Sequence, residues 1–468
     1  MPPHQLLPPP SILSQDSLVS QKLTAQIGIM EDTRTPRDIL KEALSLRLTT
    51  DDFEEQYPRD HLGKTLWKIG FGQCGLVFIE PDQPDATVFK IARPSFGDAL
   101  QNDYDVHMRI AEVFRGRDSR NDTCTVNTES LRESRVQLPG VFSIFPYDAA
   151  AERPDLGRFD GDPEASSTTT VAEAPHLWWK RNLRRFPDSK KSTSKTGPSS
   201  SAFILPAPAL FTERIPPLPT AVRSALIQLY CPPAQQSAVS ANPVNRDCIA
   251  RVYLGRRRPR RSDGTIIESA NFGLRNYNLH LDQMLELELP VDHYATMMAE
   301  TLAEMHWAAG TDGYDVEFVL GGGRHRSICR QPQTRGRDEE NIRANVTLAD
   351  MWLLDFNLCN MFKLKELDTE EKREGLVSYL VHAFFENDPY YPRPRRAAEN
   401  GGEGGVGGRL EDVKLWKIFK EAYLEQSKTL LEEKDASEVE LKLPLRFIEA
   451  CVEKQKTLPE GVDKIVQV

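Results

Sequence analysis

Three glycines and one lysine offer the first chemistry. The run Ile69-Gly70-Phe71-Gly72-Gln73-Cys74-Gly75-Leu76-Val77 has the spacing G-x-G-x-x-G-x-V. Glycine at 70, 72 and 75 lets backbone N–H groups approach phosphate oxygens with no Cβ in the way. Such triplets also mark plain turns, so the flanking elements decide. A dinucleotide-binding turn leads from a strand into a helix, with a carboxylate ~20 residues further on. Residues 76–79 instead predict a second strand, giving a strand–turn–strand loop over nucleotide phosphates. The next apolar run, Val88-Phe89-Lys90-Ile91-Ala92, predicts a strand whose Lys90 reaches the α- and β-phosphates. The plainer alternative is a strand-end lysine in water. A helix expected over 98–114 offers Asp103 and Asp105 as partners for Lys90, and both read equally well as a solvated helix face.

Further along, carboxylates stand where protein kinases carry a catalytic loop and a metal-binding strand end. Asp312-Gly313-Tyr314-Asp315-Val316-Glu317 follows Met305-His306-Trp307 and precedes Phe318-Val319-Leu320. In that frame Asp312 takes the catalytic-base position and Glu317 the metal-ligand position five residues on. A shift of loop register would put Asp315 in place of Asp312. The strand expected at 351–354 ends in Asp355-Phe356-Asn357, so Asp355 stands where a kinase aspartate binds Mg²⁺. Asn357 replaces the usual glycine, and Asn tolerates positive φ better than most residues. An aspartate that only caps the turn is the alternative. Upstream, Phe211-Thr212-Glu213-Arg214-Ile215-Pro216-Pro217 has the form of a hinge, with Glu213 at an adenine edge and two prolines that lack N–H donors. ATP and Mg²⁺ are the expected ligands. His306 reads equally as a buried helix-end residue, and Cys74 and Cys359 as structural thiols.

Such a site needs strands above it and helices below. Strands are expected within 64–80, 87–92, 202–212, 248–254, 316–320 and 351–356. Helices are expected at 36–45, 50–57, 98–114, 292–307, 369–386, 410–433 and 444–455, the 292–307 segment showing the clearest three-and-four spacing. Strands first and helices later predict an α+β class, a kinase-like two-lobed fold with a small β-rich N-lobe and a larger helical C-lobe. The plan is a disordered tail at 1–35, an N-lobe at 36–220 and a C-lobe at 221–468. Residues 150–200 read as a disordered insertion in which Trp178 and Trp179 offer a docking point. Loops are expected at 321–345 and, from Gly-Gly-Glu-Gly-Gly-Val-Gly-Gly, at 396–408.

Composition narrows the function classes. The 468 residues carry a net charge of -10, which gives no general attraction to nucleic acid. One arginine run, Gly255-Arg256-Arg257-Arg258-Pro259-Arg260-Arg261, reads as a solvated hairpin tip or a nuclear localisation signal. No apolar run approaches the ~20 residues of a membrane helix, and the first residues lack a secretory pattern. Seven dispersed cysteines show no zinc-site spacing and suit a reducing compartment, cytoplasmic or nuclear.

The chain also resembles a fungal family known as a domain of unknown function and commonly labelled a zinc-finger protein. The resemblance rests on residues 211–218, Ala250-Arg251-Val252-Tyr253-Leu254-Gly255-Arg256-Arg257, residues 269–280, Met305-His306-Trp307 and 315–321. It continues through Trp352-Leu353-Leu354-Asp355-Phe356-Asn357 and Asn387-Asp388-Pro389-Tyr390-Tyr391-Pro392-Arg393-Pro394. It covers roughly 60–395 outside the insertions and implies a fold rather than an activity. No zinc is expected, since Cys₂His₂ spacing is missing. Active kinases differ at four places: the His-Arg pair, the metal asparagine, the A-P-E motif, and the length of the 219–291 stretch. Three functions therefore stand: a nucleotide-binding pseudokinase or weak phosphotransferase, a scaffold for an unknown protein partner, and a transcription-linked protein.

Overall fold

The computed structural model describes residues 34–46, 48–49, 65–80, 87–120, 135–145, 175–187, 205–261, 263–267, 269–323, 346–347, 349–387, 389–394 and 410–458. The helix expected at 50–57, most of the tail, most of the 150–200 and 321–345 segments and the 396–408 segment lie outside them. The architecture is α+β. None of its described helices is long and apolar enough to cross a membrane.

The first half of the chain builds a five-stranded antiparallel sheet. Its strands are β2 (Trp67–Phe71), β3 (Gly75–Ile79), β4 (Thr87–Ala92), β5 (Val141–Phe145) and β6 (Ala209–Glu213), in the order β2-β3-β4-β6-β5. Lys90 lies mid-sheet, opposite Val77 on β3 and Leu210 on β6. Alternation sends Phe89 and Ile91 to the opposite face, where both are buried. On that face sits a helix, α3 (Pro175–Asn182). Trp178 packs edge-on against Phe211 at 5.1 Å, and Trp179 stacks on Phe186 at 5.6 Å. Residues 175–187 are thus a folded part of the sheet's core, where open chain was expected. Burial of the two tryptophans stabilises an eight-residue helix too short to hold alone.

A long helix, α2 (Gly97–Arg120), crosses from this sheet to the second half of the chain. There a four-stranded mixed sheet has the order β11-β9-β7-β8, from β7 (Ala250–Tyr253), β8 (Tyr277–His280), β9 (Glu317–Gly322) and β11 (Ala349–Leu354). β9 and β11, both expected as strands, pair antiparallel, and β7 joins the free edge of β9, with Arg251 opposite Val319. A minor pair joins β1 (Leu48–Thr49) to β10 (Val346–Thr347). Around the sheet lie α1 (Pro36–Ala43), α4 (Thr220–Tyr230), α5 (Gln236–Ala241), α6 (Leu281–Glu286), α7 (Val291–Ala303), α8 (Glu370–Glu386), α9 (Leu410–Glu432) and α10 (Leu443–Thr457). Strands and helices therefore interleave here, which a simple strands-then-helices order does not capture. The last turn of α7 widens into a π-helical segment, Glu304–Ala309, ending at Gly310 with φ 67°. A carbonyl, Phe362 O, would lie 2.5 Å from a Cβ at Gly310, so both backbone angle and space demand glycine. The arginine run is not a free tip. Arg257 pairs with Asp412, and Arg258 pairs with Asp282, so the run is pinned to the helices.

Candidate functional site

A cleft of about 380 Å³ opens between the five-stranded sheet and the mixed sheet. Lys90 lies on its floor. The ammonium is 2.6 Å from Asp103 Oδ2 and 2.6 Å from Asp355 Oδ1. Burial works against this charge, but the two carboxylates overcome it and hold the lysine pKa above its usual value. Asp103 also accepts from the Phe356 amide at 3.0 Å. One aspartate of α2 therefore ties a strand of the first sheet to the end of the second. Asp105, the other reading of that helix, faces outward and accepts from Gln101.

Asp355 reaches the cleft through its backbone. Its φ is 68°, in the left-handed region that L-residues seldom occupy. The sequence expectation placed this geometry at Asn357. Instead it falls two residues earlier, sending Asp355 to the cleft and Phe356 into the core. Phe356 packs edge-on against His107 of α2 at 5.0 Å. Asn102 secures the same loop by donating to the Cys359 carbonyl at 2.7 Å. Asn357 is buried, with its Nδ2 against Cys74 of the glycine-rich turn.

The glycines form the roof. A Cβ on Gly75 would stand 2.7 Å from the Ile91 carbonyl oxygen, so β3 and β4 could not keep their spacing. Gly70 is tight against Val77, at 3.1 Å. Gly72 differs: a Cβ there meets nothing within 4 Å, and its amide closes the turn onto Gly75 O at 2.9 Å. Packing explains Gly75, and nothing in the described chain requires glycine at 72.

The loop before β9 distributes its acids unevenly. Asp312 does not line the cleft. It is buried, and its Oδ1 accepts from the amides of Tyr314 at 3.0 Å and Asn360 at 2.9 Å. Those bonds join two loops, which is a structural use of the carboxylate. Asp315 does line the cleft, with φ 62°. It is open to water on one side and crowded on the other, and this crowding, with Asp355 nearby, raises its pKa. Glu317 lines the cleft too, but Arg251 of β7 holds it in an ion pair. Burial pushes the Glu317 carboxyl up to about 7; Arg251 opposes this, while Asp355 and Asp315 add to it.

At the far end, Glu213 faces the cleft but accepts from the Gly140 amide at 2.8 Å, so its carboxylate braces β5 against β6. The next residue, Arg214, is 3% exposed and pairs with Asp247 at 2.5 Å. Thus the cleft cations Lys90, Arg214 and Arg251 each already hold a carboxylate. Neither Arg251 nor Asp247 was singled out as a site residue in the sequence, because each needs a partner that only folding supplies. His306 is buried away from the cleft. Its Nδ1 meets Tyr423 Oη at 2.9 Å and its Nε2 the Asp312 carbonyl at 3.3 Å.

Among the described residues no group of three or more His, Cys, Asp or Glu side chains is arranged to hold a metal ion. Residues 351–435 match the model of a family of domains of unknown function described as "Zinc finger protein". That match takes in most of β11, the Asp355 turn, α8 and the whole of α9. No curated protein and no solved structure matches the chain.

Proposed function

We propose that the chain is a nucleotide-binding protein on a kinase-like two-lobed scaffold, with phosphotransfer weak or absent. The observation that carries this reading is Lys90, held between Asp103 of α2 and Asp355 at the end of β11, under a glycine-rich turn. A lysine on the third strand, an acid on the following helix and an aspartate after a strand pair are the parts that position nucleotide phosphates. The glycine at 72 supports the same reading, since a ligand phosphate gives it a purpose that packing does not.

The residues fit one Mg²⁺ better than two. Asp355 gives one oxygen to Lys90 and is a third exposed to the cleft, which suits an ion held mainly by phosphates and one carboxylate. Bound there, the ion would neutralise phosphate charge. Lys90 would orient the phosphates, and the Gly72 turn would admit them to backbone amides. Because Asp312 is committed to loop hydrogen bonds, the base position is weakly served; Asp315 is the acid that reaches the cleft. Catalysis in this class is positioning and charge neutralisation, so a misplaced base lowers turnover without abolishing binding.

A second reading, a scaffold that binds a protein partner and no nucleotide, draws on the prior pairing of the three cleft cations. Thermal unfolding with and without ATP and Mg²⁺ separates the two. Ligand at ~100 times its Kd stabilises by ~2.7 kcal/mol. Wild type is expected to show that gain only with both present, and Lys90→Met and Asp355→Asn to lose it. An unchanged melting temperature in millimolar ATP and Mg²⁺ rejects nucleotide binding and leaves the scaffold.

A further inference from the structure

We infer that Arg251 takes the place of a second metal ion in this cleft, so that a nucleoside di- or triphosphate binds with one divalent cation. This rests on the nucleotide reading above and refines it. Kinase-type sites hold two ions, one on the aspartate after the second strand and one on a neutral asparagine of the catalytic loop. Here the second position is Glu317. A glutamate would add negative charge beside Asp315 and Asp355. Instead its carboxylate is taken by the guanidinium of Arg251.

The fold supplies that cation deliberately. Arg251 comes from β7, the strand added to the free edge of β9, and lies in register with Val319, two residues beyond Glu317. β7 itself belongs to the long stretch between the hinge-like segment and α7. With Glu317 ionised, its ion pair with Arg251 carries no net charge, like the asparagine it stands for. A dication at Glu317 would have to displace the guanidinium or sit against it, and like charges at that range repel strongly. Asp355 pairs with Lys90 and keeps a third of its side chain exposed to the cleft. One ion position survives and the other is filled by protein.

The test counts bound Mn²⁺ per chain at saturating ADP, by the electron paramagnetic resonance signal of free Mn²⁺, using the full chain. Wild type and Arg251→Lys are expected to bind one ion. Arg251→Met frees Glu317 and is expected to bind a second, at least tenfold more tightly than wild type binds any second ion. Circular dichroism and melting of each variant, with Mn²⁺ restoring any loss in Arg251→Met, confirm that it is folded. Two ions in wild type, or one in both wild type and Arg251→Met, overturn the inference while leaving nucleotide binding intact. Failure of wild type to bind ADP at all overturns both together.

Discussion

At the scale of single residues, the glycine-rich turn separates structural need from functional need. Gly75 faces a carbonyl oxygen across the sheet, so Gly75→Ala forces two strands apart and is expected to cost about 1–3 kcal/mol. Gly72→Ala meets no atom and is expected to leave stability within about 0.5 kcal/mol. The same Gly72→Ala chain is expected to lose most of the ATP–Mg²⁺ stabilisation. Urea titration with and without the ligand measures both effects, and a Gly72→Ala chain that keeps full ligand stabilisation removes the turn from the site. Lys90 was legible because an apolar strand followed the glycines at the right distance. Choosing Asp103 over Asp105 was not, since both lie on the same helix and only its docking angle selects one. Arg251 was the hardest to see, because its partner is 66 residues away.

At the scale of elements, long periodic segments declared themselves. Strand β4 and helices α7, α8, α9 and α10 fall within a few residues of expectation, and α2 starts where expected and runs six residues further. Some of the shorter pieces did not. β8 has four residues between a turn and the start of α6, and its partner β7 pairs with it in parallel, which no local pattern announces. α3 is eight residues long, and its only strong signal was the tryptophan pair. Those tryptophans are the reason it folds. Trp178→Ala empties a site lined by Phe89, Phe145 and Phe211 and is expected to destabilise by about 3–5 kcal/mol. A loss below ~0.5 kcal/mol in denaturant unfolding would mean that α3 is not part of the sheet's core.

At the scale of the whole molecule, the helical half holds His306, with other partly buried histidines, in a state that water would not. Burial drives the His306 pKa down to about 3. Unfolded, the same ring takes a proton near pH 6.5. The unfolded chain therefore binds the extra proton between those limits, and stability falls as pH drops through 6.5 and keeps falling toward 3. The full difference is worth at most ~5 kcal/mol. His306→Gln, which lacks the titration, is expected to start less stable and to lose less on acidification. Parallel stability curves for the two chains between pH 7 and 4.5 would exclude His306 as the source. A different consequence follows from how β7 is held. The amides of Leu254 and Gly255 bond the carbonyls of Tyr390 and Pro389, and Gly255 lies under that segment with no room for a side chain. During synthesis β7 leaves the ribosome well before β9 and the 389–391 segment exist. A nascent strand with open edges is a template for pairing with other chains, so the protein's yield will depend on chaperone cover and on the pace of translation across this interval.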